Sequence, residues 1–212
     1  MKLMIAIPSL DFMHTEFVKS LCVLTKYLSC DGVDYDVVIQ SGTLVYVARD
    51  NLAKKAVQEG YTHVLWLDSD MVFGEELLDD MMFCGKDMVT GIYHARRPPH
   101  ASCLFRSLDP VDRYTASEYP DDVFEIGGCG FGAVFMTTDV LRKVFAECVS
   151  CFAPMNRLGE DCAFCLRATA CGIRIYADPR IRLGHIGHIA IYPEAEEQFF
   201  DKVQGDKSCL KK

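Results

Sequence analysis

From Leu3 to Tyr93 the chain alternates short apolar runs with stretches whose apolar residues recur at helical spacing. Residues 3–7 read as a strand that stops at Pro8, and Val18, Leu21, Cys22 and Leu28 share one face of a helix over 17–28. A strand over 36–40, a helix over 47–59 closed by Gly60, and a strand over 63–67 follow. Then come a helix over 74–84, ended by Gly85, and a strand over 87–93. Parallel strands need long crossovers, and helices are the usual ones, so this β-α-β-α-β-α-β order predicts an α/β sandwich. It is expected to be Rossmann-related, with a mainly parallel central sheet, right-handed crossovers and flanking helices. At 212 residues a single domain over 1–212 is expected.

The second half is less regular. Arg96-Arg97-Pro98-Pro99 reads as a turn, and 109–122 as a polar surface excursion. Gly127, Gly128, Gly130 and Gly132 follow in one short segment, where missing side chains let backbone approach a ligand closely. It is not a dinucleotide fingerprint, because the spacing differs and the first strand is far away. A strand over 133–136 leads to a helix capped by Thr138 or Asp139. A helix over 160–170, ended by Gly172, and short strands over 173–176 and 181–183 complete the order. The charged tail after Pro193 is expected to be partly mobile.

Asp68-Ser69-Asp70 carries the chemistry. It follows the apolar run Val64-Leu65-Trp66-Leu67, at the strand end where α/β sheets bind ligands. Carboxylates beside a core need a cationic partner. A divalent ion is the simplest one, and hard oxygen ligands favour Mg²⁺ or Mn²⁺ held jointly by carboxylates and substrate phosphates. The bland alternative is a turn with two solvated aspartates.

Composition narrows the classes. A net charge of -8 argues against a mainly electrostatic nucleic-acid binder. No apolar run nears the roughly 20 residues of a membrane span, and the N-terminal segment is too short before Pro8 for a signal peptide. A cytoplasmic location is the expectation. The 11 cysteines then read as thiols in a reducing compartment. Cys148-x-x-Cys151 and Cys162-x-x-Cys165 have the look of a zinc site, but the second pair sits in an apolar helical pattern. Buried thiols are the preferred reading.

The ordered set of motifs resembles the GT-A class of nucleotide-sugar-dependent glycosyltransferases, in its broad family-2-like group. The matching pieces are Pro8-Ser9, Ala48-Arg49, Asp68-Ser69-Asp70, the glycine segment at 127–132, Gly159-Glu160-Asp161 and Gly184-His185-Ile186-Gly187-His188, over roughly residues 3 to 190. One departure is Asp50, where that pattern has Asn. The resemblance implies Mn²⁺ or Mg²⁺ held by Asp68 and Asp70, with Asp70 the more direct ligand. His185 would complete the shell, and His188 competes for that role. It places Pro8, Ser9, Arg49 and Gly128 around the donor, and implies a UDP- or GDP-sugar as that donor and a carbohydrate or other hydroxyl as acceptor. Asp161 would be the general base of an inverting reaction, with Glu160 positioning the acceptor. Both acids also suit a helix N-terminus for purely electrostatic reasons.

Other classes use the same features. A nucleotidyltransferase or metal-dependent phosphohydrolase could use the Asp pair. The former generally carries a glycine-rich basic loop after its first strand, where this chain has Leu10-Asp11-Phe12. A non-catalytic nucleotide-sugar-binding module and a zinc-stabilised interaction domain are further readings.

Overall fold

The computed structural model describes residues 1–187 except 156, together with the backbone of 190–191. His188, Cys209 and the tail after Pro193 lie outside the described residues. In chain order the elements are β1 (Lys2–Pro8), α1 (Thr15–Cys30), β2 (Asp34–Gln40), α2 (Val45–Gln58), β3 (His63–Leu67), β4 (Met71–Val72), α3 (Leu77–Phe83), β5 (Met88–Ile92), β6 (Leu104–Leu108), β7 (Val111–Arg113), β8 (Phe124–Ile126), β9 (Gly128–Cys129), β10 (Ala133–Thr137), α4 (Thr138–Glu147), α5 (Glu160–Ala170), β11 (Ile175–Arg182), β12 (Gly184–Ile186) and β13 (Ala190–Ile191).

Seven strands form the central sheet in the order β2-β1-β3-β10-β5-β11-β8. β1 runs parallel to β2 and β3, and β5 parallel to β11. β10 is antiparallel to both β3 and β5, and β8 is antiparallel to β11. The sheet is therefore mainly parallel, as the sequence predicts, with two reversed strands. Two three-stranded sheets, β13-β12-β4 and β7-β6-β9, stand beside it.

Helices on both faces explain the near-continuous apolar strands. Leu3, Ile5 and Ile7 of β1 pack into one core with Phe17, Leu24 and Leu28 of α1 and Leu78 of α3. Met4 and Ala6 point the other way, into a core with Leu52 of α2, Leu141 of α4 and Phe164 of α5. β3 splits likewise, Leu65 and Leu67 to the first face, Val64 and Trp66 to the second. This is the two-residue period of a strand covered on both sides. Each fully buried aliphatic chain contributes roughly 1.5–3 kcal/mol.

Three local expectations change. The strands expected at 173–176 and 181–183 are one strand, β11, with an irregularity between Ala177 and Arg182 where Pro179 cannot donate to the ladder. The excursion at 109–122 contains β7, hairpin partner of β6, and a capping box between Thr115 and Glu118. The N-cap of α4 is Thr137, one residue before the expected Thr138 or Asp139, and its side chain makes no cap; the Thr138 hydroxyl instead donates to the Tyr61 carbonyl at 2.6 Å and ties the helix to β3's entrance.

All ten described cysteines are free thiols. Cys151, Cys162 and Cys165 are buried, and the Cys165 sulfur lies against the backbone of Cys129. Among the described residues no three His, Cys, Asp or Glu side chains are placed to hold a metal ion by themselves. No helix among them is long and apolar enough to cross a membrane.

Candidate active site

β1 and β3 are parallel neighbours, so Pro8-Ser9 and Asp68-Ser69-Asp70 emerge at the same edge of the sheet. β10 runs the other way beside β3 and begins at that edge, which brings the end of the glycine segment to Asp68. The Asp68 amide donates to the Gly132 carbonyl at 2.8 Å. The Asp70 carbonyl accepts from the Ile186 amide at 2.8 Å, and the Ser69 carbonyl from the His14 amide at 3.2 Å. Three separate segments thus clamp the backbone of the Asp pair, which fixes where its carboxylates point.

Each carboxylate meets a different set of cations. Arg49, on α2, is only 2% exposed and donates from Nη2 to Asp68 Oδ1 at 2.8 Å. Its Nε is 3.6 Å from Glu160 Oε1, and its guanidinium lies 5.2 Å from the centre of the Phe131 ring. The buried Nε and Nη1 have no hydrogen-bond partner among the described residues. Burial works against the Arg49 charge, but Asp68, Glu160 and Asp161 outweigh it and raise its pKa. Asp70 receives Arg96 Nη1 on Oδ2, and His185 Nε2 is 3.5 Å from the same oxygen. His185 Nδ1 lies 2.8 Å from the His94 carbonyl oxygen. That contact makes Nδ1 the protonated nitrogen and turns Nε2 toward Asp70, the orientation that metal-ligating histidines usually have.

The two aspartates therefore differ electrically. Burial, with the charge of Asp70 beside it, pushes the Asp68 carboxyl up to about 6 against the pull of Arg49. Burial would also raise Asp70, but the hydrogen bond and charge of His185, with Arg96 and His14, hold it below the usual carboxylate value. Asp70 is thus the more stable anion of the two.

These groups line one cavity of about 460 Å³. Of the residues singled out from the sequence, Pro8, Ser9, Arg49, Asp68, Asp70 and Glu160 border it, and His185 touches it through Asp70. Asp161 and Gly128 do not. The missing side chain of Gly128 is taken up by Leu108 and by Cys165 of α5, so this glycine serves packing. Gly130 and Gly132 are the close ones, the first beside the Tyr93 hydroxyl and Asp161, the second donating to that hydroxyl at 2.9 Å. Asp161 stands in the first turn of α5, with Oδ1 on the Cys162 amide at 2.7 Å and Oδ2 toward Gly130. Glu160 borders the cavity and faces Arg49, with Oε1 3.6 Å from its Nε.

The roles of four residues, Arg96, Leu10, Phe12 and Asp50, are not announced in the sequence. Arg96 stands on a hairpin tip closed by the Ala95 amide on the Ala101 carbonyl at 2.8 Å, and read only as part of a turn. Leu10 and Phe12 line the cavity while largely exposed, Phe12 by 87%. Their signal was an apolar pair inside a strand-to-helix loop. Asp50 accepts from the Cys151 and Phe152 amides at 2.9 and 3.0 Å and from the Ser150 hydroxyl, so it anchors a loop beneath the site.

No known protein family's profile matches this sequence, and no curated protein does. Solved structures do. A197 from STIV is similar with a TM-score of 0.61 and 21% identity, over 92% of this chain and 91% of that one. The catalytic domain of Drosophila β1,4-galactosyltransferase 7, complexed with xylobiose, gives 0.52 and 13%, over 85% of this chain and 66% of that one. An apo UDP-glucose pyrophosphorylase gives 0.45 and 12%, over 87% and 70%. Identities this low show the fold, a mixed α/β sandwich of the GT-A, Rossmann-like kind.

Proposed function

We propose that this chain is a metal-dependent glycosyltransferase that moves a sugar from a UDP- or GDP-sugar to an acceptor hydroxyl. One observation carries the reading: the Asp68–Asp70 pair is clamped at the sheet edge and shares a cavity with Arg49, Arg96 and Glu160, with His185 against Asp70. The donor set suits Mn²⁺ or Mg²⁺. Asp70 and His185 offer an oxygen and a nitrogen from one small space, Asp68 stands beside them, and such ions usually take further ligands from phosphate and water. When bound, the ion would act as a Lewis acid on the leaving diphosphate.

The chain's own groups do the rest. Arg49 borders the cavity, held on Asp68 and Glu160, and its fixed positive charge would favour phosphate oxygens there. Leu10 and Phe12 offer an apolar wall for the nucleotide's base. Asp161, beside Gly130, takes the proton of the acceptor hydroxyl as the glycosidic bond breaks. A nucleotidyltransferase generally carries a basic, glycine-rich loop after its first strand, where this chain presents Leu10 and Phe12 instead, which favours sugar transfer.

The test compares two variants. Asp161→Asn should leave nucleotide and metal affinity nearly unchanged while transfer falls by roughly 10² to 10⁴. Asp70→Asn should weaken metal-dependent donor binding first. Wild-type transfer by Asp161→Asn would remove the base assignment, and consumption of a nucleoside triphosphate with release of pyrophosphate would move the protein to the nucleotidyltransferases.

A further inference from the structure

Asp70 Oδ2 is contested. Arg96 Nη1 donates to it, and His185 Nε2 lies 3.5 Å from it. The space between this oxygen and that nitrogen is where the proposed divalent ion belongs, yet a guanidinium already occupies the oxygen. Two cations on one oxygen repel each other at close range, so they compete for it. Arg96 also differs from Arg49 in kind. Arg49 is locked among Asp68, Glu160, Phe131 and Phe152, whereas the Arg96 side chain is 47% exposed on a hairpin tip. That tip has a fixed base. The Ala95–Ala101 hydrogen bond closes it, the Cys103 amide donates to the Tyr93 carbonyl, and His94 pairs with Ser102. Only the long side chain needs to swing, and it borders the same cavity in which a donor's diphosphate would lie.

We propose that Arg96 is a latch for this site, resting on the glycosyltransferase reading above. It neutralises Asp70 in the metal-free protein and passes to the donor diphosphate when a divalent ion takes Asp70. The exchange balances charge at each stage. Without a ligand, Asp70 would otherwise sit in a cavity beside Asp68 and Glu160, three carboxylates with too few cations. With a nucleoside diphosphate bound, the released guanidinium finds phosphate oxygens that suit its planar fork. Metal alone then binds poorly, because it must displace Arg96 with no new partner for it, whereas metal and nucleotide bind together. Arg96 thereby makes the ligand class a metal–diphosphate unit rather than a free ion.

Electron paramagnetic resonance reads free Mn²⁺ directly, so Mn²⁺ alone is the first probe, on wild type, Arg96→Ala and Arg96→Lys. UDP and GDP are then titrated at saturating Mn²⁺. Removing a competing exposed ion pair should tighten Mn²⁺ binding by Arg96→Ala about fivefold. Losing a charge-assisted phosphate contact should weaken its binding of the preferred nucleotide about tenfold. Arg96→Lys, a point charge without the fork, should lie between in both. Unchanged or weaker Mn²⁺ binding by Arg96→Ala overturns the latch, and so does tighter Mn²⁺ binding with unchanged nucleotide affinity. If the wild type binds nucleotide with Mn²⁺ and only these shifts are missing, the latch fails and the enzyme reading stands. If the wild type binds neither nucleotide in Mn²⁺, both fall together.

Discussion

Asp50 illustrates how one side chain can hold a site it never touches. Its carboxylate satisfies two backbone amides and a hydroxyl of the loop at 150–152, which ends on Phe152, whose ring stacks on Phe164 and lies under Arg49. Asp50→Ala leaves those amides without an acceptor in a buried place and should cost about 1–3 kcal/mol in urea unfolding. Asp50→Asn keeps one carbonyl oxygen and should cost less. Asp178 makes a pH-dependent contribution. Burial would raise its carboxyl, but hydrogen bonds from Arg180 and Cys84 and the Arg180 charge hold it below the usual value. A carboxyl lowered on folding stabilises the protein above its unfolded pKa, and that share is lost as pH falls through the folded value. The stability gap between wild type and Asp178→Asn should therefore be widest near neutrality and narrow below about pH 4, the ordinary range of an aspartate. A gap independent of pH would show that this carboxylate is not held in its charged form by folding.

Elements were more legible than their directions. β3 and α5 fall where apolar runs and helical spacing put them, because each buries a face whose period is written in its own residues. The reversal of β10 is not written there, since a strand reads the same in either direction, yet it delivers Gly132 to Asp68. The merger of the two short strands into β11 likewise depends on pairing with β5. Pairing over long separations also hid Arg96, for nothing near it in sequence announces Asp70. The glycine segment reads as ligand-facing throughout, but its first half is shaped by strand contact. A Cβ at Gly127 would run into the Arg106 backbone of β6. Gly127→Ala should thus destabilise by roughly 1–3 kcal/mol through overpacking, without a direct effect on nucleotide affinity in the folded fraction. Lost nucleotide affinity at full stability would return this glycine to the site.

At the scale of the molecule, two cores on either side of one sheet leave its strand ends as the place where charge collects. Asp68, Asp70 and Glu160 meet Arg49, Arg96 and His185 there, in a protein whose net charge is -8. Such a protein handles an anionic donor only by concentrating positive charge locally, and an added divalent ion is the largest increment available. The central claim is that nucleotide binding runs through that ion. Titration calorimetry of UDP and GDP against the wild-type protein, once in Mn²⁺ and once in EDTA, tests it most directly. Clear binding of one nucleotide in Mn²⁺ and a large loss in EDTA are expected, with stabilisation of about 2.7 kcal/mol at a hundredfold excess over Kd in the metal-containing sample. Equal affinity in the two buffers, or no binding in either, would contradict it.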